Sequence, residues 1–240
     1  MTYTQFYEKL IESDELPRTS QCNPDTFLHY YEEVLKDNDS AVVITLSSTL
    51  SGTYQNAVIA AEDYEGKIFV VDSLNATIGS GILVEYAQQL AEKGLSAKEI
   101  ADKLNNVKGK VHLMGMVETL EYLRKGGRLS SAAAIAGELL SIKPVLCIQD
   151  GEIVMLGKAR GSKRAKNLLI EEIEKAGGID YSMPLLLAYS GISDAVLKKY
   201  VDDSHELWKD HSELVKYACI GSVIGTHLGP GAAAIAFFEK

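Results

Sequence analysis

The chain predicts an α/β protein of two domains. Residues 1–107 form an α/β/α layer around a parallel sheet, and residues 108–240 an α+β domain with a mostly antiparallel six-stranded sheet. Three observations carry this reading. Two short apolar runs, 41–46 and 68–71, alternate with helix-length stretches, the order that builds a parallel sheet. Beyond residue 107 the strands come as neighbours, and Asp150-Gly151 between two strand-like runs is a strong hairpin signal. The 240 residues, 46% hydrophobic and 24% charged, suit a globular chain of one large or two unequal domains.

The elements follow in order. A helix over 4–12 is ended by Glu15-Leu16-Pro17, and Pro24-Asp25 opens a helix over 26–36. The strand 41–46 leads into a hydroxyl-rich turn and a helix over 54–63. The strand 67–72 precedes a helix over 78–93, stopped at Gly94. Ser96 and Glu99 form a capping box for a helix reaching 106. The second half reads as a strand 111–117, a short helix 119–125 ended by Gly126-Gly127, and a small-residue helix 130–140. Strands at 143–149 and 152–157, a helix 162–176, a strand 185–189, a helix 193–208 and strands near 214–220 and 232–238 complete it.

Bulk properties narrow the function. A net charge of −9 argues against a nucleic-acid binder working by bulk electrostatics. Cys22, Cys147 and Cys219 are too far apart for a disulfide framework or a metal knuckle, which favours a reducing compartment. The N-terminus lacks a basic, apolar leader, and no run approaches the roughly 18 apolar residues that span a bilayer. A cytoplasmic protein without stable membrane insertion is expected.

Several catalytic motifs are absent. Gly79-Ser80-Gly81 would need glycine at 84 for a dinucleotide fingerprint, and Val84 stands there. No Walker loop occurs. His205-Glu206 would need histidine at 209 for a zinc protease, and Lys209 stands there. Leu50-Ser51-Gly52 is not a nucleophile elbow.

Three polar constellations remain. Ser47-Ser48-Thr49-Leu50-Ser51-Gly52-Thr53 puts five hydroxyls in seven residues after a buried strand, where parallel sheets place polar ligands at helix N-termini. The same residues equally suit a plain helix cap. A basic cluster, Lys158, Arg160, Lys163, Arg164 and Lys166, is either a solvated helix face or a phosphate- or partner-binding one. In Ile224-Gly225-Thr226-His227-Leu228-Gly229-Pro230-Gly231, glycines on both sides of His227 suggest a histidine presented into a cleft.

Thr19-Ser20-Gln21, Ser48-x-x-Ser51-Gly52-Thr53-Tyr54, Leu123-Arg124-Lys125-Gly126-Gly127-Arg128, Lys143-Pro144 and Ile224-Gly225-Thr226-His227-x-Gly229-Pro230-Gly231 resemble, in the family's own order, the DegV family of bacterial fatty-acid-binding proteins. The resemblance runs the length of the chain. It implies two α/β domains with one fatty acid between them, such as palmitate, stearate or oleate, its tail in an apolar tunnel. It also implies a lipid-carrying subunit that presents the carboxylate to a separate fatty-acid kinase subunit, needs no cofactor or metal, and performs no catalysis itself. By matching position, Thr19 and Ser51 hold the carboxylate, Ser20, Gly52 and Thr53 complete its surroundings, and His227 lies near it. Arg128 and Arg160 lie at the polar mouth, and the 131–140 helix either lines the tunnel or is ordinary close packing.

The resemblance departs at the start. Family members begin with a further strand, an Asp-Ser/Thr loop and another strand. Their lack here predicts a first sheet of two evident strands, in a domain that is weakened or joined to another copy. Two other readings stand beside the carrier: an enzyme acting on a small phosphorylated substrate with His227 as acid/base, and a shortened member that no longer binds lipid.

Overall fold

In the computed structural model, which describes residues 1–129 and 142–240, the strands form two separate sheets. The expected small-residue helix at 130–140 lies outside the described residues. The chain divides into two compact units. One holds Met1–Thr19, His112–Gln149 and Ile153–Lys240, and the other Ser20–Val111 with Asp150–Glu152.

This division differs from a single cut after residue 107. The first nineteen residues group with the C-terminal half because of helix α1 (Tyr3–Glu12). Its Phe6, Tyr7 and Leu10 are buried, and the Tyr7 hydroxyl donates to the Ile220 carbonyl at 2.8 Å. A fully buried tyrosine needs such an acceptor, so α1 is fixed where Ile220 lies. The turn 150–152 groups with the other unit because Thr49 Oγ1 donates to the Gly151 carbonyl at 2.5 Å.

The smaller unit runs α2 (Pro24–Val34), β1 (Ala41–Thr45), α3 (Thr53–Ala61), β2 (Ile68–Asp72), α4 (Thr77–Glu92) and α5 (Ala97–Val107). β1 and β2 pair in parallel, Ala41 opposite Ile68 through Thr45 opposite Asp72. Strand alternation sends Ala41, Val43, Ile68 and Val70 into a cluster with Phe27, Tyr31 and Ala60 of α2 and α3. α5 packs against both strands, and its capping box is as expected, with the Ser96 hydroxyl accepting from Glu99 N.

The larger unit holds β3 (Val111–Met116), α6 (Glu121–Lys125), β4 (Ile142–Gln149), β5 (Glu152–Arg160), α7 (Ser162–Lys175), β6 (Leu186–Tyr189), α8 (Ala195–Asp203), α9 (His205–Trp208), β7 (Tyr217–Cys219), α10 (Ser222–Leu228) and β8 (Ala233–Phe238). Their sheet has the order β5-β4-β3-β8-β6-β7. It is mixed: β3/β4 and β6/β8 run antiparallel, β6/β7 parallel. Asp150 and Gly151, both at positive φ (51° and 84°), turn β4 into β5 as the Asp-Gly pair predicts. One face of the sheet packs Met114, Val145, Leu187, Ile235 and Phe237 against Leu169 and Ile173 of α7, Leu197 and Tyr200 of α8, and Trp208.

Three elements differ from expectation. β5 runs on to Arg160, so Lys158 and Arg160 sit on a strand. The helix expected over 193–208 breaks at Ser204, whose hydroxyl donates to the Tyr200 carbonyl at 2.5 Å and accepts from the Trp208 indole at 2.8 Å. Such side-chain competition with the backbone loosens a helix. The segment around His227 is helical, α10, with Gly229 as its C-cap at φ 73°.

Candidate functional site

The hydroxyl turn follows β1 and opens α3, in the smaller unit. Its backbone donors are almost all committed locally. Ser47 N–H donates to the Asn75 carbonyl at 2.7 Å, and Ser48 N–H to both carboxylate oxygens of Asp72 at 3.3 Å. Thr49 N–H donates to Ser47 Oγ, Leu50 and Ser51 N–H to the Ser47 carbonyl, and Thr53 N–H to Ser51 Oγ at 3.2 Å. The N–H of Gly52, N-cap of α3, has no partner among the described residues.

The hydroxyls give a second donor. Ser51 Oγ and Thr53 Oγ1 lie 2.9 Å apart, and Thr53 Oγ1 also accepts from Cys22 N at 3.3 Å. Each hydroxyl has one hydrogen and two lone pairs. One of the two hydrogens closes their mutual bond; the other is left over whichever residue donates. Half-buried Ser51, Gly52 and Thr53 thus offer one hydroxyl hydrogen and one N–H at a helix N-terminus, which suits an anion. Cys22 in turn accepts at its carbonyl from the Asn56 amide at 2.6 Å, tying the chain after Ser20 to α3. Ser20 itself is exposed.

The larger unit holds a second pair. Thr19 Oγ1 lies 2.7 Å from His227 Nε2. His227 sits in the last turn of α10, half-buried, and its Nδ1 is buried without a partner among the described residues. A Cβ on Gly126 would collide with Nδ1, so glycine there is what admits the ring. Burial, then the nearby Arg128 guanidinium, holds the imidazole pKa below its ordinary value, so the ring is neutral. An orphaned lone pair costs less than an orphaned N–H. The proton therefore belongs on Nε2, donated to Thr19 Oγ1, which leaves the Thr19 hydroxyl hydrogen for another acceptor.

Of the remaining predicted residues, Arg128 lies near His227. Arg128 is exposed, with Nη1 donating to the Gly126 carbonyl at 2.9 Å, and Arg160 is exposed at the end of β5. The basic cluster is not one solvated face. Lys166 is 2% exposed and ion-paired with Asp203, while Lys163 and Arg164 are exposed on α7. Lys143 is ion-paired with Glu118. Among the described residues no group of His, Cys, Asp and Glu could hold a metal ion, and no helix is long and apolar enough to cross a membrane.

The site also contains residues the sequence reading passed over. Asp72, Ser73 and Asn75 lie at the end of β2 as the hydroxyl turn lies at the end of β1; Asp72 and Asn75 bind that turn directly, and Ser73 bonds Asn75. Their signal was present: an Asp-Ser-x-Asn turn at the carboxyl end of the neighbouring parallel strand.

Comparison with known proteins agrees with the motifs. A family model named DegV, described as an uncharacterised protein family, matches residues 1–240. A DegV domain-containing protein of Caldanaerobacter subterraneus is 34% identical over 239 residues, covering 98% of this chain and 83% of the relative. A DegV family protein of Thermus thermophilus, solved for its fatty-acid binding, is 29% identical, with a TM-score of 0.86 over 100% of this chain and 85% of its own. A fatty acid kinase B3 protein of Streptococcus pneumoniae, solved with linoleic acid, superposes with a TM-score of 0.86 over 100% and 84%; at 24% identity that likeness speaks to the fold.

Proposed function

The chain belongs to the DegV family, and from that membership we propose that it binds a long-chain fatty acid and carries it without chemical change. The observation that carries the reading is the Ser51–Gly52–Thr53 donor set: one surplus hydroxyl hydrogen and one N–H at the start of α3. A carboxylate removed from water needs several donors, since leaving it unpaired is costly. Hydroxyls and N–H groups supply them without a fixed positive charge, so the anion is held reversibly. Thr19, with its hydroxyl hydrogen released by His227, is a further donor proposed for a carboxylate.

Affinity comes from the tail. About fifteen methylenes at about 0.8 kcal/mol each give a gross term on the order of 10 kcal/mol. Association and ordering of the chain offset part of it. Orientation comes from the hydroxyls. The carrier then presents the carboxylate to a separate kinase subunit that supplies the ATP site; Arg128 and Arg160, both exposed, are the cations assigned to that approach.

Native mass spectrometry of the purified protein tests the reading. A co-purified long-chain acid is expected, and a delipidated sample that takes up no oleate sinks it. A bound phosphate ester in place of the lipid transfers the site to the enzyme reading. Ser51→Ala and Thr19→Ala should each weaken oleate binding by about tenfold to a hundredfold, the range for a hydrogen bond to a charged group. Unchanged affinity removes that residue from the site.

A further inference from the structure

We infer that Asp72 and Asn75 are positioning residues, which brace the hydroxyl turn so that Ser51 and Thr53 keep their donor geometry. The ligand named in the test rests on the fatty-acid reading; the brace does not. Every buried polar side chain of the smaller unit among the described residues, namely Thr45, Ser47, Asp72, Ser73 and Asn75, lies at the carboxyl ends of β1 and β2. Buried polar groups gathered in one place make a network that either specifies a geometry or destabilises the fold. Here nearly all are paired.

Asp72 is 8% exposed and accepts from Ser48 N–H through both oxygens, and from Leu74 N–H at 2.9 Å. Its carboxylate thus ties the hydroxyl turn to the turn after β2. Asn75 makes the second tie. Its carbonyl takes Ser47 N–H, and its amide Nδ2 donates to the Val111 carbonyl at 3.2 Å. Ser73 closes the network: its hydroxyl accepts from Asn75 N at 3.1 Å and lies 2.8 Å from Ser80 Oγ.

The brace holds strained backbone. Leu74 (φ 50°) and Thr77 (φ 42°) adopt left-handed conformations without being glycine, and Thr77 is β-branched. Such residues persist only where surrounding bonds over-determine them, and they gather at ligand clamps. Asp72 supplies such a constraint at Leu74, whose N–H it accepts, and Asn75 Oδ1 accepts from the Ala76 N–H just before Thr77 at 3.2 Å. By taking the N–H groups of Ser47 and Ser48, they fix how the turn enters Ser51, and they leave Gly52 N–H and a hydroxyl hydrogen as the donors an incoming anion meets.

The variant Asp72→Asn keeps the shape and replaces one acceptor oxygen by a donor that opposes Ser48 N–H. Binding of oleate and of oleyl alcohol, which lacks the carboxylate, should be measured on delipidated protein. Positioning predicts about a tenfold loss for oleate, with the alcohol unchanged. Equal loss for both ligands makes Asp72 merely structural, and no loss or tighter oleate binding makes it dispensable; either overturns the inference. If wild-type protein binds neither ligand, the fatty-acid reading fails, and amide hydrogen exchange decides the brace alone. Exchange in Asp72→Asn should quicken at residues 48–53 while β1 and β2 are unchanged; unchanged exchange at 48–53 overturns it. Should the variant not fold, wild-type Ser48 and Leu74 amides must exchange as slowly as those of β1 and β2, and fast exchange there overturns it.

Discussion

His227 works as a neutral ring because burial opposes its charge and Arg128 repels it. A pKa lowered in the folded state has a definite sign. Above the ordinary histidine value of about 6.5, both folded and unfolded chains hold the ring neutral and its contribution to stability is complete. Below that value the unfolded chain takes up the proton first, so stability falls with pH until the folded ring titrates too. Imidazole titration by NMR should place the His227 midpoint below the ordinary value, and Arg128→Ala should move it part of the way back. A midpoint at or above the ordinary value refutes the lowered pKa. Flanking glycines mark His227 in the sequence, but only the family resemblance sets it near the carboxylate assigned to Thr19, 208 residues away; no local pattern pairs the two. Asp72 and Asn75 were missed for a related reason. Their Asp-Ser-x-Asn turn stands in the sequence at the end of β2, but they accept from and donate to backbone groups, so no spacing between residue types pairs them with the hydroxyl turn.

At the scale of elements, α1 depends on a close approach. Gly225 of α10 faces Tyr7 and Phe6, where a Cβ would come within 2.6 Å of Tyr7 Oη and 2.9 Å of Phe6 Cε1. Gly225→Ala gains about 1 kcal/mol of helix propensity, and overpacking costs about 1–3 kcal/mol. A net destabilisation of up to about 2 kcal/mol is expected in urea unfolding, with α1 amides losing protection; a stabilised variant would mean that α1 shifts freely. The elements with local signals were legible: Pro24 at the start of α2, the Ser96–Glu99 box of α5, the Asp-Gly turn between β4 and β5. What was not legible depended on distant partners. α10 hides behind three glycines and a proline that read as a loop, and the break at Ser204 needs Trp208 to complete it.

For the whole molecule, the two units rest on unequal sheets. Among the described residues the larger has six strands and the smaller two, and two-stranded sheets are marginal without helices packed against them. Sub-global opening should therefore begin in the smaller unit. Native-state hydrogen exchange should find β1 and β2 amides opening at lower free energy than those of β3 and β8, and uniform protection across both sheets would refute it. Saturation with oleate should slow exchange at 48–53 in the same experiment. The alternation of strands and helices announced both sheets; the membership of residues 1–19 and 150–152 was invisible, because it is settled by Tyr7 and Thr49 reaching acceptors far along the chain. That interlacing bears on inheritance. The chain passes from one unit to the other after residues 19, 111, 149 and 152, so no single break releases either unit whole. A gene fusion or recombination event that took one contiguous stretch, 20–111 or 112–240, would leave Thr49 without Gly151 or Ile220 without Tyr7. A contiguous segment that keeps both bonds spans residues 7–220 and so carries both units.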